Sequence, residues 1–158
     1  MSDDKIYSSS DLELSAKSFR YAIAAARFNS HIVDKLLDGA LATLKSCGAN
    51  EPQLTVVRVP GAFELPLTCQ RFAASGQFDV IIALGCVIQG ETPHFDYVCT
   101  ESARGIMDVA LKYDLPVING ILTTDTHTQA EARAQGEKNK GVDAAKAAME
   151  MLNVLHAI

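Results

Sequence analysis

A histidine, a carboxylate and two phenylalanines each follow an apolar, strand-like segment of this sequence. His94 ends a glycine-containing segment, GETPH, and Phe28 follows the first apolar run of the chain. Phe63 and Glu64 follow the second. Imidazole titrates near neutral pH, a carboxylate accepts hydrogen bonds, and an aromatic face stacks on a planar ring. These residue types suit a planar, hydrogen-bonding ligand that stacks on a ring, with an anion nearby.

Each of these residues also has a purely structural interpretation. Phe28 could pack against the helix that follows it, and Glu64 could be a first-turn acid that complements a helix dipole. The ring of His94 could be satisfied at a helix start without any role in chemistry. Arg133, on a late helix, would by itself be interpreted as a solvated surface charge. Two further histidines are interpreted as surface residues, His31 and His127.

Four strand-like segments position these residues: 19–26, 53–59, 78–84 and 115–122. A stretch with helical periodicity follows each of them, and the last such stretch, 128–155, is interrupted near 136–141. Because strands that alternate with helices form right-handed crossovers, the sheet is expected to be parallel and covered on both faces. The predicted fold is α/β, a three-layer α/β/α sandwich with a four-stranded parallel sheet.

The carboxyl ends of parallel strands share one edge of the sheet, where ligands bind in such folds. We therefore expect four loops to meet there: 27–29, 61–64, 85–94 and 123–125. The third strand should end at Gly85, and the third helix should begin near Asp96. Asn29 or Ser30 could cap the first helix. That helix should turn six apolar residues inward: Val98, Ala103, Ile106, Met107, Ala110 and Leu111.

Length and composition indicate one domain, 1–158, in which 1–17 form a polar N-terminal arm. The chain is 48% hydrophobic, and its net charge of −5 argues against a nucleic-acid partner. No apolar run reaches membrane-spanning length and the first residues do not resemble an export signal, so we expect a cytoplasmic protein with no membrane partner. Its four cysteines should be reduced, and a zinc site of Cys86, His94 and Cys99 is the less favoured alternative.

Four segments occur together in an order and spacing that is more specific than any single residue. They are RFN at 27–29, VPGAFELP at 59–66, LGCVIQGETPHFDYV at 84–98 and NKGVDA at 139–144. With these segments the chain closely resembles the lumazine synthase family, from about residue 19 to residue 152. The resemblance implies a flavodoxin-like version of the α/β/α sandwich.

The resemblance implies a transferase of riboflavin biosynthesis that condenses 5-amino-6-(D-ribitylamino)uracil with 3,4-dihydroxy-2-butanone 4-phosphate. Its products are 6,7-dimethyl-8-ribityllumazine, phosphate and water, and it uses no metal or organic cofactor. The implied partners are these two small-molecule substrates, further copies of the chain in a homopentamer or a higher assembly, and riboflavin synthase. The N-terminal arm would add a strand to the sheet of a neighbouring subunit.

The resemblance also implies roles for individual residues. His94 would be the proton shuttle, Phe28 would stack on the pyrimidine, and Glu64 would bind the ribityl hydroxyls beside Ala62 and Phe63. Backbone groups at the end of the third strand would address the pyrimidine edge: Cys86, Val87 and Ile88. Glu91 and Thr92 of one subunit would lie against the phosphate. Arg133 and Lys140 of the neighbouring subunit would bind it.

Two positions depart from the family pattern. Asn119 stands where the family usually has an aromatic residue that packs on the neighbour's pyrimidine, so stacking across the subunit boundary should be weaker. The segment AQGEK, 134–138, is one residue shorter than usual, in a region that governs whether pentamers join into a closed shell. A homopentamer is expected, and the shell is left open.

Two other functions stay open at this point. One is a flavodoxin-like flavin-binding or signalling module, although 27–29 has neither the acidic cluster of a signal receiver nor the phosphate loop of a flavodoxin. The other is a paralogue that keeps the pentamer but has lost most activity and binds riboflavin or lumazine. The Asn119 departure would suit such a paralogue.

Overall fold

A four-stranded, all-parallel sheet forms the centre of the protein, and its strands lie in the order β2-β1-β3-β4. The computed structural model describes residues 14–158. The strands are β1 (Tyr21–Ala26), β2 (Leu54–Val59), β3 (Val80–Ile88) and β4 (Val117–Thr124). β1 and β3 occupy the middle of the sheet with both faces covered, so nearly all their residues are buried. The parallel sheet predicted from the alternating pattern is confirmed.

Helices cover both faces of the sheet, which confirms the three-layer α/β/α sandwich. They are α1 (Ser30–Ser46), α2 (Leu65–Ser75), α3 (His94–Tyr113), α4 (His127–Ala132) and α5 (Lys140–Ala157), with short 3-10 turns at 51–53, 62–64 and 136–138. α1, α4 and α5 pack on one face, and α2 and α3 pack on the other. The last helical region is divided in two, as its interruption predicted.

β3 continues to Ile88, and the prediction that it ends at Gly85 was wrong. Gly85 pairs with Ile121 of β4 inside the sheet. A β-carbon on Gly85 would lie 3.2 Å from a methyl group of Leu65, so this glycine marks a close approach of α2 rather than a turn. Pairing with β1 stops at Leu84. The end of β3 therefore has one edge without a partner strand.

The buried face of α3 is narrower than predicted. Ala103, Met107 and Leu111 were expected to point inward, and all three are exposed. Ser102 is buried instead, because its hydroxyl donates a hydrogen bond to the carbonyl of Cys99 at 3.2 Å and so needs no water. The buried face consists of Val98, Ser102, Ile106 and Val109.

The described part of the chain begins inside the predicted N-terminal arm. Ala16 is buried, and its N–H donates to the carbonyl of Cys47 at 2.9 Å, so the arm joins the core at this residue. Residues 1–13 lie outside the described part, and strand addition to a neighbour stays a prediction. None of the helices within 14–158 combines the length and the apolar character that a membrane span requires.

Candidate active site

A cavity of about 400 Å³ opens at the carboxyl edge of the sheet, beyond the ends of β1 and β3. The strand order reverses between these two strands, and ligands bind at such points in parallel α/β sheets. The lining residues are Phe28, Asn29, Gly61, Ala62, Phe63, Glu64, Cys86, Val87, Ile88, His94 and Val98. Residues after β1, after β2 and from the end of β3 to the start of α3 thus meet around one space.

Phe28 lies over Gly61, and this contact fixes where the aromatic ring stands. The Phe28 N–H donates to the carbonyl of Pro60 at 2.8 Å, which ties the loop after β1 to the loop after β2. A β-carbon on Gly61 would lie 2.5 Å from Cδ2 of the ring, well inside van der Waals contact. Because the ring is 60% exposed, it can stack on a planar ligand.

Glu64 ends the single 3-10 turn that begins at Ala62, directly after Gly61. Its N–H donates to the Gly61 carbonyl at 3.2 Å, and its side chain lines the cavity. Within residues 14–158 no group forms a hydrogen bond or an ion pair with the carboxylate. Phe63 beside it is 60% exposed. This turn offers acceptor oxygens beside an apolar wall, which suits a chain of hydroxyl groups.

Asn29 is a cavity residue that sequence reasoning assigned to helix capping, together with Ser30. Asn29 is indeed the N-cap residue of α1, but its side chain makes no capping hydrogen bond. The Asn29 amide nitrogen instead donates to the carbonyl of Cys86 at 2.8 Å. Its backbone is left-handed, with φ of 58°, a conformation that Asn tolerates better than most residues. An Asn in the loop that follows a strand is the signal that could have revealed this role.

The end of β3 offers its backbone, not a reactive thiol, to a ligand. Burial raises the pKa of the Cys86 thiol to about 11, so the thiol stays protonated near neutral pH and is a poor nucleophile. Among the described residues no three His, Cys, Asp or Glu side chains are arranged to hold a metal ion. In the described chain the side chains of Cys86, His94 and Cys99 are thus not grouped as metal ligands.

Cys86 is expected to resist alkylation at pH 8, because a pKa of about 11 leaves roughly 0.1% of the thiol ionised. Labelling should become fast only as the pH approaches the pKa, since the thiolate is the reacting form. Iodoacetamide treatment followed by peptide mass spectrometry measures the modified fraction. Cys47, which is partly exposed, is the internal reference for access by the reagent. Rapid modification of Cys86 at pH 8 would contradict the assignment.

His94 is the first residue of α3, which therefore begins earlier than predicted, and its ring lines the cavity. Its N–H donates to Oγ1 of Thr92 at 3.4 Å. In the described chain the imidazole ring itself has no hydrogen-bond partner, so its nitrogens are available to a ligand. Glu91 and Thr92 are exposed and lie outside the cavity lining.

Three other predicted site residues line a separate cavity of about 370 Å³ beside β4 and α5: Asn119, Arg133 and Lys140. Arg133 donates to the carbonyl of Gln129 at 3.0 Å, and Lys140 lies 3.4 Å from a carboxylate oxygen of Asp143. The end of β4 also lines this second cavity. The fourth strand end does not join the first three because β4 is an edge strand on the far side of β3.

His31 and His127 are exposed, as predicted, but their rings are in contact. The ring centroids lie 4.7 Å apart with 20° between the planes, and the two Nε2 atoms are hydrogen-bonded to each other. In such a bond one Nε2 carries a hydrogen and donates it to the other. The contact links the start of α1 to the start of α4, a pairing that no sequence pattern indicates.

The fold and the first cavity define a class of protein, an α/β/α sandwich with a site suited to a small, ring-containing molecule where the strand order reverses. The sequence model of the 6,7-dimethyl-8-ribityllumazine synthase family matches residues 18–156, nearly the whole chain. The chain therefore belongs to this family, whose members serve riboflavin biosynthesis. The resemblance seen in the sequence is confirmed, and the alternative of a flavodoxin-like signalling module is set aside.

Proposed function

We propose that this protein condenses 5-amino-6-(D-ribitylamino)uracil with 3,4-dihydroxy-2-butanone 4-phosphate to give 6,7-dimethyl-8-ribityllumazine, phosphate and water. The observation that carries the proposal is the meeting of Phe28, Glu64 and His94 around one cavity at the sheet edge. An aromatic face, a carboxylate and an imidazole are the groups that a ribityl-bearing pyrimidine and a proton-transfer reaction require.

The pyrimidine substrate stacks on Phe28, and its ribityl chain extends toward Glu64. The end of β3 has no partner strand on the β1 side, so backbone groups from Cys86 to Ile88 can bind the polar edge of the pyrimidine. The Cys86 carbonyl already accepts a hydrogen bond from the Asn29 side chain. This hydrogen bond ties the residue after Phe28 to the end of β3, on the same side of the cavity as the open backbone edge.

The reaction moves a proton at every step, and one imidazole can both give and take protons. The aryl amine attacks the ketone, and the carbinolamine that forms loses water to become an imine. Loss of a proton from the neighbouring carbon expels phosphate, the resulting enol tautomerises to a ketone, and the second amine closes the ring with loss of another water. His94 handles these protons, a role that typically contributes about 10²–10⁴-fold.

The phosphate group needs cations, and the described lining of the first cavity contains no Lys or Arg. Arg133 and Lys140 line the second cavity of the same chain. The first cavity of one copy therefore joins the second cavity of the next in a homopentamer, and the guanidinium binds phosphate through paired hydrogen bonds. Asn119 would contact the neighbour's pyrimidine with an amide where relatives use a ring.

Large apolar side chains on α2 and α3 support this assembly, because they face solvent in the single chain. Leu67, Met107 and Leu111 are 66%, 58% and 75% exposed. Large exposed apolar side chains that cluster on a surface often mark an interface between proteins. Met107 and Leu111 were expected inside the fold, and their apolar character is explained by contact with another copy.

Leu111→Glu is expected to break the homopentamer, because the new carboxylate would be buried without a partner. Light scattering should show a smaller assembly, activity should fall with it, and far-UV circular dichroism should stay unchanged. Ile158→Glu, at a C-terminal position that is 84% exposed, is the matched control and should leave the assembly intact. An unchanged mass for Leu111→Glu would place the interface on another face.

Gly61→Ala is expected to raise the Kd for the ribitylaminopyrimidine about five- to tenfold, which corresponds to losing roughly 1–1.5 kcal/mol of aromatic stacking. The added methyl group would displace the Phe28 ring from its position over Gly61. Titration calorimetry measures the affinity. Gly90→Ala, where a β-carbon would meet nothing within 4 Å, is the control. Equal affinities for the two variants would mean that Phe28 is not the stacking residue.

The reaction itself is tested by mixing the purified protein with both substrates. Lumazine absorbance and phosphate release should rise together in a one-to-one ratio. A paralogue that has kept only binding would quench riboflavin fluorescence but release no phosphate, and that result would overturn the proposed function.

A further inference from the structure

Asn139 is a buried side chain that joins three separate parts of the fold. It is 8% exposed, and its amide nitrogen donates to the carbonyls of Lys35 in α1 and Ala134 after α4, each at 3.1 Å. Its side-chain oxygen accepts from the N–H groups of Gly141 and Val142 at 2.8 and 3.3 Å. An asparagine amide has two donor hydrogens and an oxygen with two lone pairs, so its full capacity is used.

The surrounding backbone leaves room for this side chain and for little else. A β-carbon on Gly39 of α1 would lie 2.7 Å from the Asn139 amide nitrogen. A β-carbon on Gly141 would overlap the carbonyl of Leu36. α1 and α5 are therefore close enough for one short side chain to bridge them, and the fully hydrogen-bonded amide makes a rigid joint.

The hydrogen bonds of Asn139 fix the conformation of the backbone between Arg133 and Lys140. The Lys140 N–H donates to the Arg133 carbonyl at 2.8 Å, so the two residues are neighbours although residues 134–139 separate them in the chain. Within the described chain their side chains have local partners, the Gln129 carbonyl for Arg133 and Asp143 for Lys140. No contact between the two side chains sets their spacing, which is therefore set by the backbone that Asn139 holds.

We propose that Asn139 is a positioning residue that holds Arg133 and Lys140 side by side, at the spacing that a bound phosphate group requires. Because phosphate is the anion assigned to these cations above, the proposal rests on the proposed function. Asp or Ser could cap α5 equally well, but neither has the two N–H donors that reach Lys35 and Ala134.

Asn139→Asp tests this role directly, because it keeps the cap of α5 and removes both donors. The carboxylate would face the carbonyl oxygens of Lys35 and Ala134, which repel it. We expect the KM for the phosphate-bearing substrate to rise about tenfold at pH 8, with kcat and the KM for the pyrimidine within about twofold of the wild-type values.

The split between kinetic parameters distinguishes positioning from a general structural defect. Loss of positioning should raise only the KM for the phosphate-bearing substrate, whereas a general defect should change both KM values and kcat. Asn139→Ala loses all four hydrogen bonds and should raise the KM for the phosphate-bearing substrate at least as much.

Leu44→Ala is the control for lost stability, since it removes a completely buried side chain at the other end of α1. It should lower Tm and leave the KM values of both substrates unchanged. An equal rise in the KM of the phosphate-bearing substrate would show that loss of stability alone, not positioning, explains the Asn139 variants.

Binding of inorganic phosphate, measured by titration calorimetry, separates failure of this proposal from failure of the proposed function. We expect Arg133→Ala to abolish binding and Asn139→Asp to weaken it about tenfold at pH 8. If Arg133→Ala leaves the phosphate affinity unchanged, the phosphate assignment and the proposal both fall. If Arg133→Ala abolishes binding but Asn139→Asp keeps wild-type affinity and KM, the positioning role alone is wrong.

Discussion

His94→Ala is expected to lower kcat about 100-fold, near the lower end of the roughly 10²–10⁴-fold that general acid–base catalysis contributes. The effect should be near that end because no hydrogen bond from the described chain orients the ring. Phe28 and Glu64 would still bind the pyrimidine and its ribityl chain, so KM should change little. Holding two reactants together, which the variant retains, supplies much of the remaining acceleration.

Single-turnover absorbance measurements from about pH 6 to 9 give the clearest test, because they isolate the chemical steps. The wild-type rate should vary with the protonation of one imidazole, and the variant should lose that dependence. His156→Ala is the matched control, since its ring packs on Phe19 and lines a different cavity near the start of β3. A His94→Ala rate equal to that of the wild type at every pH would falsify the assignment.

Gly141→Ala is expected to destabilise the fold by about 3 kcal/mol or more, at the upper end of what overpacking usually costs. The added β-carbon would lie 1.9 Å from the carbonyl oxygen of Leu36, so α1 and α5 would have to separate. Alanine favours a helix over glycine by about 1 kcal/mol, which is too little to offset the clash. α5 would carry Asn139 and Lys140 with it, so the affinity for phosphate should also fall.

Thermal unfolding at a fixed protein concentration measures this effect, and Tm should fall by about 6–12 °C for a chain of this size. Gly90→Ala is again the matched control, because its added methyl group meets nothing. Its free energy of unfolding should stay within about 0.5 kcal/mol of wild type. If the two variants unfold at the same temperature, α5 and α1 are packed less closely than in this structure.

The alternation of strands and helices could be predicted because it depends on neighbours along the chain. Apolar runs and helical periodicity are visible within about ten residues of each segment. The end of β3 could not be predicted in this way, because Gly85 is required by a methyl group of Leu65 that approaches from α2. The width of the α3 face was missed because Met107 and Leu111 fit the helical periodicity of a buried face, yet both face solvent in the single chain.

Most of the first cavity could also be predicted. Phe28, Glu64 and His94 follow strands that end at one edge, and parallel order alone brings those ends together. The contribution of Asn29 was missed because the same residue type also caps helices, and only the position of the Cys86 carbonyl decides between these roles.

By itself, the sequence determined the α/β/α class, the family and the side chains available at the sheet edge. Only the tertiary structure decided that Arg133 and Lys140 line a second cavity, and that Asn139 reaches Lys35 across 104 positions of the chain. The alternation of strands and helices follows from short-range periodicity, which can be read from neighbouring residues. The distance between α1 and α5 depends on every element packed around them. The side chain that bridges the two helices, Asn139, is therefore known only once the chain has folded.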